Sequence, residues 1–322
     1  MYLLKQIPED FLVEEITNLN FEKSGRYSVF FLTKRSYATE DAIQTIATKF
    51  RIERKKIGYA GIKDRNAITK QYISIENAQN NLGETLLKDI TLEFVGYLKE
   101  PITLGSLKGN KFNITIRNLQ KTEMPKKNKV SINYFDKQRF SKNNVEIGKA
   151  ILNKKFKEAC DLITLGDGSY REIIDKHLAK SKNDYVNALK KIPRKILMIY
   201  VHAYQSKIWN ETIQEHLKFK EDTINEEIPI VGFSTELQEG KLKSIITKIM
   251  NDENITFRDF IIREIPELSF EGNKRNIYAE IQNLTIEKQE QDELNEGMFK
   301  IKVEFFLEKG AYATMAIKQM FD

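Results

Sequence analysis

The chain predicts an α+β protein, a mixed or antiparallel sheet domain interrupted by a mainly helical insertion. Three observations carry that prediction. Short strand-like stretches dominate residues 1–120, apolar residues at helical spacing dominate from about residue 144 to 264, and period-two alternation returns between 277 and 307. Segregation of strands and helices along a chain indicates α+β packing rather than a doubly wound sheet. The expected domains are therefore a discontinuous sheet domain, 1–154 with 265–322, and an insertion at 155–264.

The elements follow in order. Phe11 to Ile16 reads as a first short strand, and Arg26 to Leu32 as a clearer one, with Tyr27, Val29 and Phe31 alternating against Ser28 and Phe30. Thr39 is placed to cap a helix whose first turn carries Glu40 and Asp41, as the helix dipole prefers. Ile43, Ile46, Ala47 and Phe50 give that helix one apolar face. Residues 71–75, 92–97 and 112–116 read as further strands. Residues 121–130 form a basic connector containing proline. Beyond it, Ile147, Ala150 and Ile151, then Phe156, Ala159, Cys160 and Ile163, keep helical spacing. The strongest helix runs from Ile196 to His216, with Leu197, Val201, Tyr204 and Ile208 on one face; Glu236 to Met250 and Phe257 to Glu264 fit two more. Strands return at Ile277 to Ile281 and at Phe299 to Leu307, and the acidic run Glu287 to Glu296 between them reads as a solvated loop.

Composition narrows the class. With 322 residues the chain is long enough for two domains; 41% hydrophobic and 30% charged residues describe a globular protein with a hydrated surface. A net charge of +6 admits a nucleic-acid partner without requiring one. Cys160 is the only cysteine, which excludes an intrachain disulfide or a cysteine-based metal cluster within one chain. The N-terminal residues have no signal-peptide layout, and no apolar run reaches the ~20 residues a membrane span needs. A cytoplasmic location is expected, with no membrane partner; a monomer is favoured.

One stretch looks more like a site than like packing: Gly58-Tyr59-Ala60-Gly61-Ile62-Lys63-Asp64-Arg65-Asn66-Ala67-Ile68-Thr69-Lys70-Gln71. Two glycines three apart supply backbone freedom or close approach. Asp64 then falls on a loop between two strands, with Lys63 and Arg65 on either side, a setting suited to a polyanion. Taken alone, the triplet reads first as a solvated charged turn.

The segment resembles the signature of the TruD family of pseudouridine synthases, a Gly-x-Lys-Asp-[Arg/Lys]-x-Ala-x-Thr-x-Gln stretch that carries the catalytic aspartate. Four further stretches resemble the family's other motifs in the same order: Leu4 to Phe11, Leu104 to Phe112, Asn133 to Phe140, and Lys309 to Thr314. Asn66 and Glu308 depart from the common pattern, which bears on loop shape and RNA contacts rather than on chemistry. The resemblance implies a pseudouridine-synthase-like sheet with a family-specific inserted domain, and isomerisation of uridine to pseudouridine in RNA, at position 13 of tRNA, with no cofactor and no metal. By the same resemblance Asp64 is the catalytic carboxylate, Lys5 pairs with it, Phe135 stacks on the target base and Asn133 helps to hold it. Tyr59 and Arg139 join them as further RNA-binding candidates, Arg139 being equally suited to a phosphate or to a structural pair. His202, Gln205, Ser206, Trp209 and Asn210 resemble a motif of the inserted domain and read as helix packing. Two other classes stay open on the residues alone: an RNA-binding or chaperone protein in which Asp64 is incidental, and a metal-dependent nuclease using Asp10, Asp64 and neighbouring acids.

Overall fold

The structure, a computed structural model, describes residues 2–84, 87–141, 143–165, 170–219 and 226–322. The chain packs into two compact units, Met1–Ser131 with Ala279–Asp322, and Ile132–Tyr278. The second is longer at both ends than the expected 155–264. The reason is visible in its core, where Ile147, Ala150 and Ile151 lie with Leu197, Tyr204, Phe260 and Ile265, so the flanking segments pack with the helices.

The first unit is built on a nine-stranded sheet. Its strands are β1 (Phe11–Ile16), β2 (Tyr27–Arg35), β3 (Ile57–Tyr59), β4 (Ile68–Glu76), β5 (Ile90–Leu98), β6 (Gly109–Leu119), β7 (Gln282–Ile286), β8 (Glu290–Gln291) and β9 (Phe299–Glu308). The main order is β7-β9-β6-β1-β4-β2-β5, with β3 paired to β4 and β8 to β9. All the described pairings are antiparallel except β1 with β4, which run parallel with Leu12 opposite Ile68 and Glu14 opposite Lys70. That parallel pair brings the starts of β1 and β4 to one edge of the sheet. Because β2 is antiparallel to β4, with Arg35 opposite Ile68, its end arrives at the same edge.

Separate apolar clusters cover the sheet. Helix α1 (Thr39–Phe50) sets Ala42, Ile43, Ile46 and Ala47 on Phe30, Leu32, Ile73 and Ile75. Val29 packs on the opposite face with Ala60 and Ile102, so β2 is buried on both sides rather than on one. Helix Ala313–Phe321 places Ala316, Ile317 and Met320 against Phe11, Ile114, Val303 and Phe305. The Leu104–Phe112 and Lys309–Thr314 stretches meet, since Lys309 donates from its backbone nitrogen to Lys108 O (3.1 Å) and from Nζ to Gly105 O (3.1 Å).

The second unit is mainly helical: α2 (Asn144–Leu152), α3 (Phe156–Leu165), α4 (Arg171–Lys180), α5 (Tyr185–Lys190), α6 (Arg194–His216) and α7 (Lys241–Asp252). A two-stranded sheet joins Glu227–Ile230 to Asn273–Asn276. Helix α6 is buried nearly all round, at Leu197, Tyr200, Val201, Ala203, Tyr204, Gln205, Ser206, Ile208, Trp209, Thr212 and Ile213, so it is the axis of the unit and not a one-faced helix. It packs on α2 and α7. At Gly148 a Cβ would lie 2.1 Å from Tyr200 O, which is why α2 carries a glycine there. The stretch expected as a helix at 257–264 makes only a short 3-10 turn, Phe257–Phe260.

Candidate active site

Asp64 lies on the loop between β3 and β4, at the sheet edge where β1 and β4 begin. Lys5 precedes β1 at that edge, and its Nζ reaches Asp64 Oδ1 at 2.9 Å. The pair is partly open: the side chains retain 15% and 34% of their exposure, enough for a ligand to reach the carboxylate. Lys5 adopts φ 58°, a left-handed conformation uncommon for lysine, and its ammonium also lies 4.1 Å from the centroid of the Phe11 ring.

The turn that follows Lys5 is held from beneath. Asp10, buried, accepts from Ile7 N at 3.0 Å and from Arg117 Nε at 2.7 Å. Arg117 also binds Asp292 (2.6 Å) and Glu293 (3.0 Å). The acidic run 287–296 is therefore not simply a solvated loop, because Asp292 is buried within this cluster. Asp10, a metal ligand in the nuclease reading, has its carboxylate committed to Arg117 and the turn.

The cations beside Asp64 in sequence do not serve it as their spacing suggests. Lys63 is buried, and its Nζ meets Glu15 Oε2 at 2.6 Å; a β1 carboxylate thus takes up its charge. Arg65 is exposed. The second lysine at the loop is Lys34, the last buried residue of β2, which donates to Asp64 O (2.8 Å) and to Tyr37 O (2.5 Å). Burial pushes its amine down to about 8, with Lys63 adding to the fall while Asp64 and Asp41 oppose it. Thr39 does not cap α1; its hydroxyl accepts from Lys63 N (2.9 Å) and donates to Gln71 Oε1 (3.0 Å). Gln71 Nε2 in turn donates to Gly61 O at 3.1 Å. The loop is thereby tied on both sides of Asp64. Of its two glycines only Gly58 is forced by space, for a Cβ there would lie 2.3 Å from Ile102 O, whereas at Gly61 the nearest atoms stand at 3.9 Å. Tyr59 is bound to Glu40 through its hydroxyl (3.0 Å) and packs in the α1 core, which gives it a structural task.

Asn133, Phe135 and Arg139 belong to the helical unit. Asn133 is pinned by Arg275, which donates to its carbonyl and side-chain oxygens, and its own Nδ2 donates to Asn276 O at 3.1 Å. Asn210 of α6 brackets Phe135, donating to its carbonyl (3.0 Å) and accepting from its nitrogen (2.9 Å). Trp209 stands edge-on to the Phe135 ring at 5.5 Å and 82°. Arg139 donates to Ser206 Oγ at 3.2 Å and lies 5.6 Å from the Phe135 centroid. Burial, with Arg139 nearby, pulls the His202 imidazole down to about 4, so it is neutral at pH 7. Asn210, Trp209 and Ser206, read as packing from the sequence, thus build the Phe135 setting. Arg275 and Lys34 were missed altogether; a lysine at a core-facing position of β2, in register with Phe30 and Leu32, was the available signal for the second.

The family model described as tRNA pseudouridine synthase D (TruD) matches residues 2–172, 166–226 and 216–320, nearly the whole chain. The chain belongs to the TruD family. A protein of Methanocaldococcus jannaschii named Probable tRNA pseudouridine synthase D 2 is 34% identical, over 99% of this chain and 91% of that one. The tRNA pseudouridine synthase D of Aquifex aeolicus is 27% identical, over 99% and 97%. A crystal structure from Methanosarcina mazei, named for the same TruD family, superposes with a TM-score of 0.74 at 25% identity, covering 99% of this chain and 93% of that one. The mixed α+β architecture is that of the family. No helix among the described residues is long and apolar enough to cross a membrane.

Proposed function

We propose that this protein isomerises uridine to pseudouridine in tRNA, at position 13, with Asp64 as the catalytic carboxylate. Membership of the TruD family supports the reaction class. The observation that carries the site is the Lys5–Asp64 pair at 2.9 Å, which unites residues from two separate family-like stretches on one sheet edge. Breaking the C1′–N1 bond leaves the ribose electron-deficient, and an anionic carboxylate stabilises that charge. Lys5 orients one carboxylate oxygen, while Lys34, Thr39 and Gln71 fix the backbone that presents it. The detached uracil turns, C5 bonds to C1′, the hydrogen on C5 passes to solvent as a proton, and N1, released from the sugar, takes up a proton from solvent in its place. Nothing is hydrolysed or oxidised, so the atoms balance without a co-reactant. Phe135 supplies the stacking face for a base taken out of its helix, and Asn133 shapes the surrounding segment. Arg139 contributes positive charge beside that ring for the RNA backbone.

The test uses tRNA lacking pseudouridine and labelled with tritium at uracil C5. The wild-type protein is expected to release one tritium per turnover with the strand uncut, including in EDTA. Asp64→Asn should abolish release while tRNA affinity stays within about threefold, since only a transition-state interaction is removed. Release by the Asn variant near the normal rate would refute the assignment of Asp64. Magnesium-dependent strand cleavage would favour a nuclease, and tRNA binding without release an RNA-binding protein.

A further inference from the structure

Arg275 lies on the strand Asn273–Asn276, far in sequence from Asn133 and Phe135, yet it is the side chain that ties those two together. Its Nε and one terminal nitrogen donate to Asn133 O at 3.0 and 2.8 Å, and the same terminal nitrogen reaches Asn133 Oδ1 at 2.6 Å. The guanidinium carbon also sits 4.2 Å from the centre of the Phe135 ring and 5.2 Å from that of Trp209. Asn133 is therefore gripped by the forked donor set, and Phe135 is backed by a cation on its π-system and an indole at its edge. Both rings are buried, Phe135 at 8% and Trp209 at 0% exposure, where such contacts are less weakened by water than at a surface.

We propose that Arg275 is the positioning residue of the base-binding segment. It fixes the Asn133 backbone and side chain and covers part of the Phe135 ring, so that the aromatic face is offered to the flipped uracil in one orientation. The inference rests on the pseudouridine reading and deepens it. Arginine suits the task because its planar fork bonds two oxygens while its face lies on an aromatic ring, which an ammonium cannot do equally well. A small misplacement of a stacking face is costly to rate, because reacting atoms must be held close to their productive geometry.

Arg275→Met, Arg275→Lys, Phe135→Ala and the double variant Arg275→Met/Phe135→Ala test this in the full-length protein. Trp209 is the only tryptophan, so its emission reports on this cluster directly. Arg275→Met should shift that emission, leave tRNA affinity within about threefold, and slow single-turnover tritium release by about tenfold or more. The double variant should be no slower than Phe135→Ala alone within about twofold, because the two act as one unit. Arg275→Met combined with Thr39→Ala, which loosens the Asp64 loop instead, should show multiplied losses. Arg275→Lys should recover part of the rate. A wild-type rate for Arg275→Met, or multiplied losses with Phe135→Ala, would overturn the proposal while leaving the pseudouridine reading intact. Should the Met variant not fold, Arg275→Lys carries the same comparison with Phe135→Ala and is decided by the same criterion. Absence of tritium release from the wild-type protein would instead sink the underlying reaction.

Discussion

At the scale of single residues, the site is governed by which charges are paired and which are buried. Lys63 adjoins Asp64 in the chain but is committed to Glu15, whereas Lys5, 59 positions away, supplies the counter-charge. Lys34 is the unusual group, a fully buried lysine that holds two backbone carbonyls, Asp64 O and Tyr37 O. Its amine titrates at about 8 in the folded protein against an ordinary 10.5. Between those values the unfolded chain binds the extra proton, so this group makes stability rise with pH across that window. The wild type should therefore gain on Lys34→Met, by at most about 3 kcal/mol, as pH goes from 8 to 10.5. Urea unfolding of both proteins across that range checks it, and a constant difference would show that Lys34 is not held charged at a cost. Lys34→Met should also slow tritium release, because the carbonyl of Asp64 loses its anchor.

At the scale of elements, the decisive feature is the parallel pairing of β1 with β4 inside an otherwise antiparallel sheet. It alone puts Lys5 and Asp64 at the same edge. The short turn before β1 is secured by Arg117 of β6, which joins Asp10, Asp292 and Glu293. Removing one member of a buried ion cluster leaves charge uncompensated, typically at a cost of about 3–5 kcal/mol. Arg117→Met should lower stability by roughly that amount at pH 7 and reduce the single-turnover rate by freeing Lys5. Adding Asp10→Asn and Asp292→Asn to the same chain should restore part of the stability. Urea unfolding checks both statements, and no recovery in the triple variant would mean that Arg117 acts through packing alone. Thr39 teaches the same lesson from the other direction. A threonine before two acids looks like a helix cap, but here its hydroxyl serves the loop that carries Asp64.

At the scale of the whole molecule, two units with separate cores carry separate groups of candidate residues. The Asp64–Lys5 pair belongs to the sheet unit, and Asn133, Phe135 and Arg275 belong to the helical one. Ile281 N donates to Lys129 O at 2.8 Å, so the chain ends left by removing 132–278 lie close together and a short linker can join them. The remaining sheet unit should fold, because the α1 core and the core around Phe11 and Ile317 draw their members from it. It should bind tRNA more weakly, with a shallower dependence of affinity on salt, having lost the lysine-rich segments 149–157 and 190–195. Circular dichroism and a salt titration of binding check this; an unchanged slope would show that the helical unit makes no phosphate contacts.

Period-two and helical spacing in the sequence were enough to determine the α+β class and the division into sheet, helices and sheet again, because burial of one face imposes those periods locally. Asp64 and Lys5 came forward through the ordered motifs and their resemblance to the TruD family, since a charged triplet on a loop and a lysine near the N-terminus carry no such assignment by themselves. Other features were settled only by tertiary structure. Boundaries at 131/132 and 278/279 follow from which helices share a core, and α6 is an axis rather than a one-faced helix because neighbours cover it on all sides. The partners of Lys63, Asp10, Thr39 and Arg275 include residues brought from 24 to 142 positions away. Short-range patterns record what each segment must bury, but which buried charge or hydroxyl meets which is decided by strand order and helix packing, and those are properties of the folded chain.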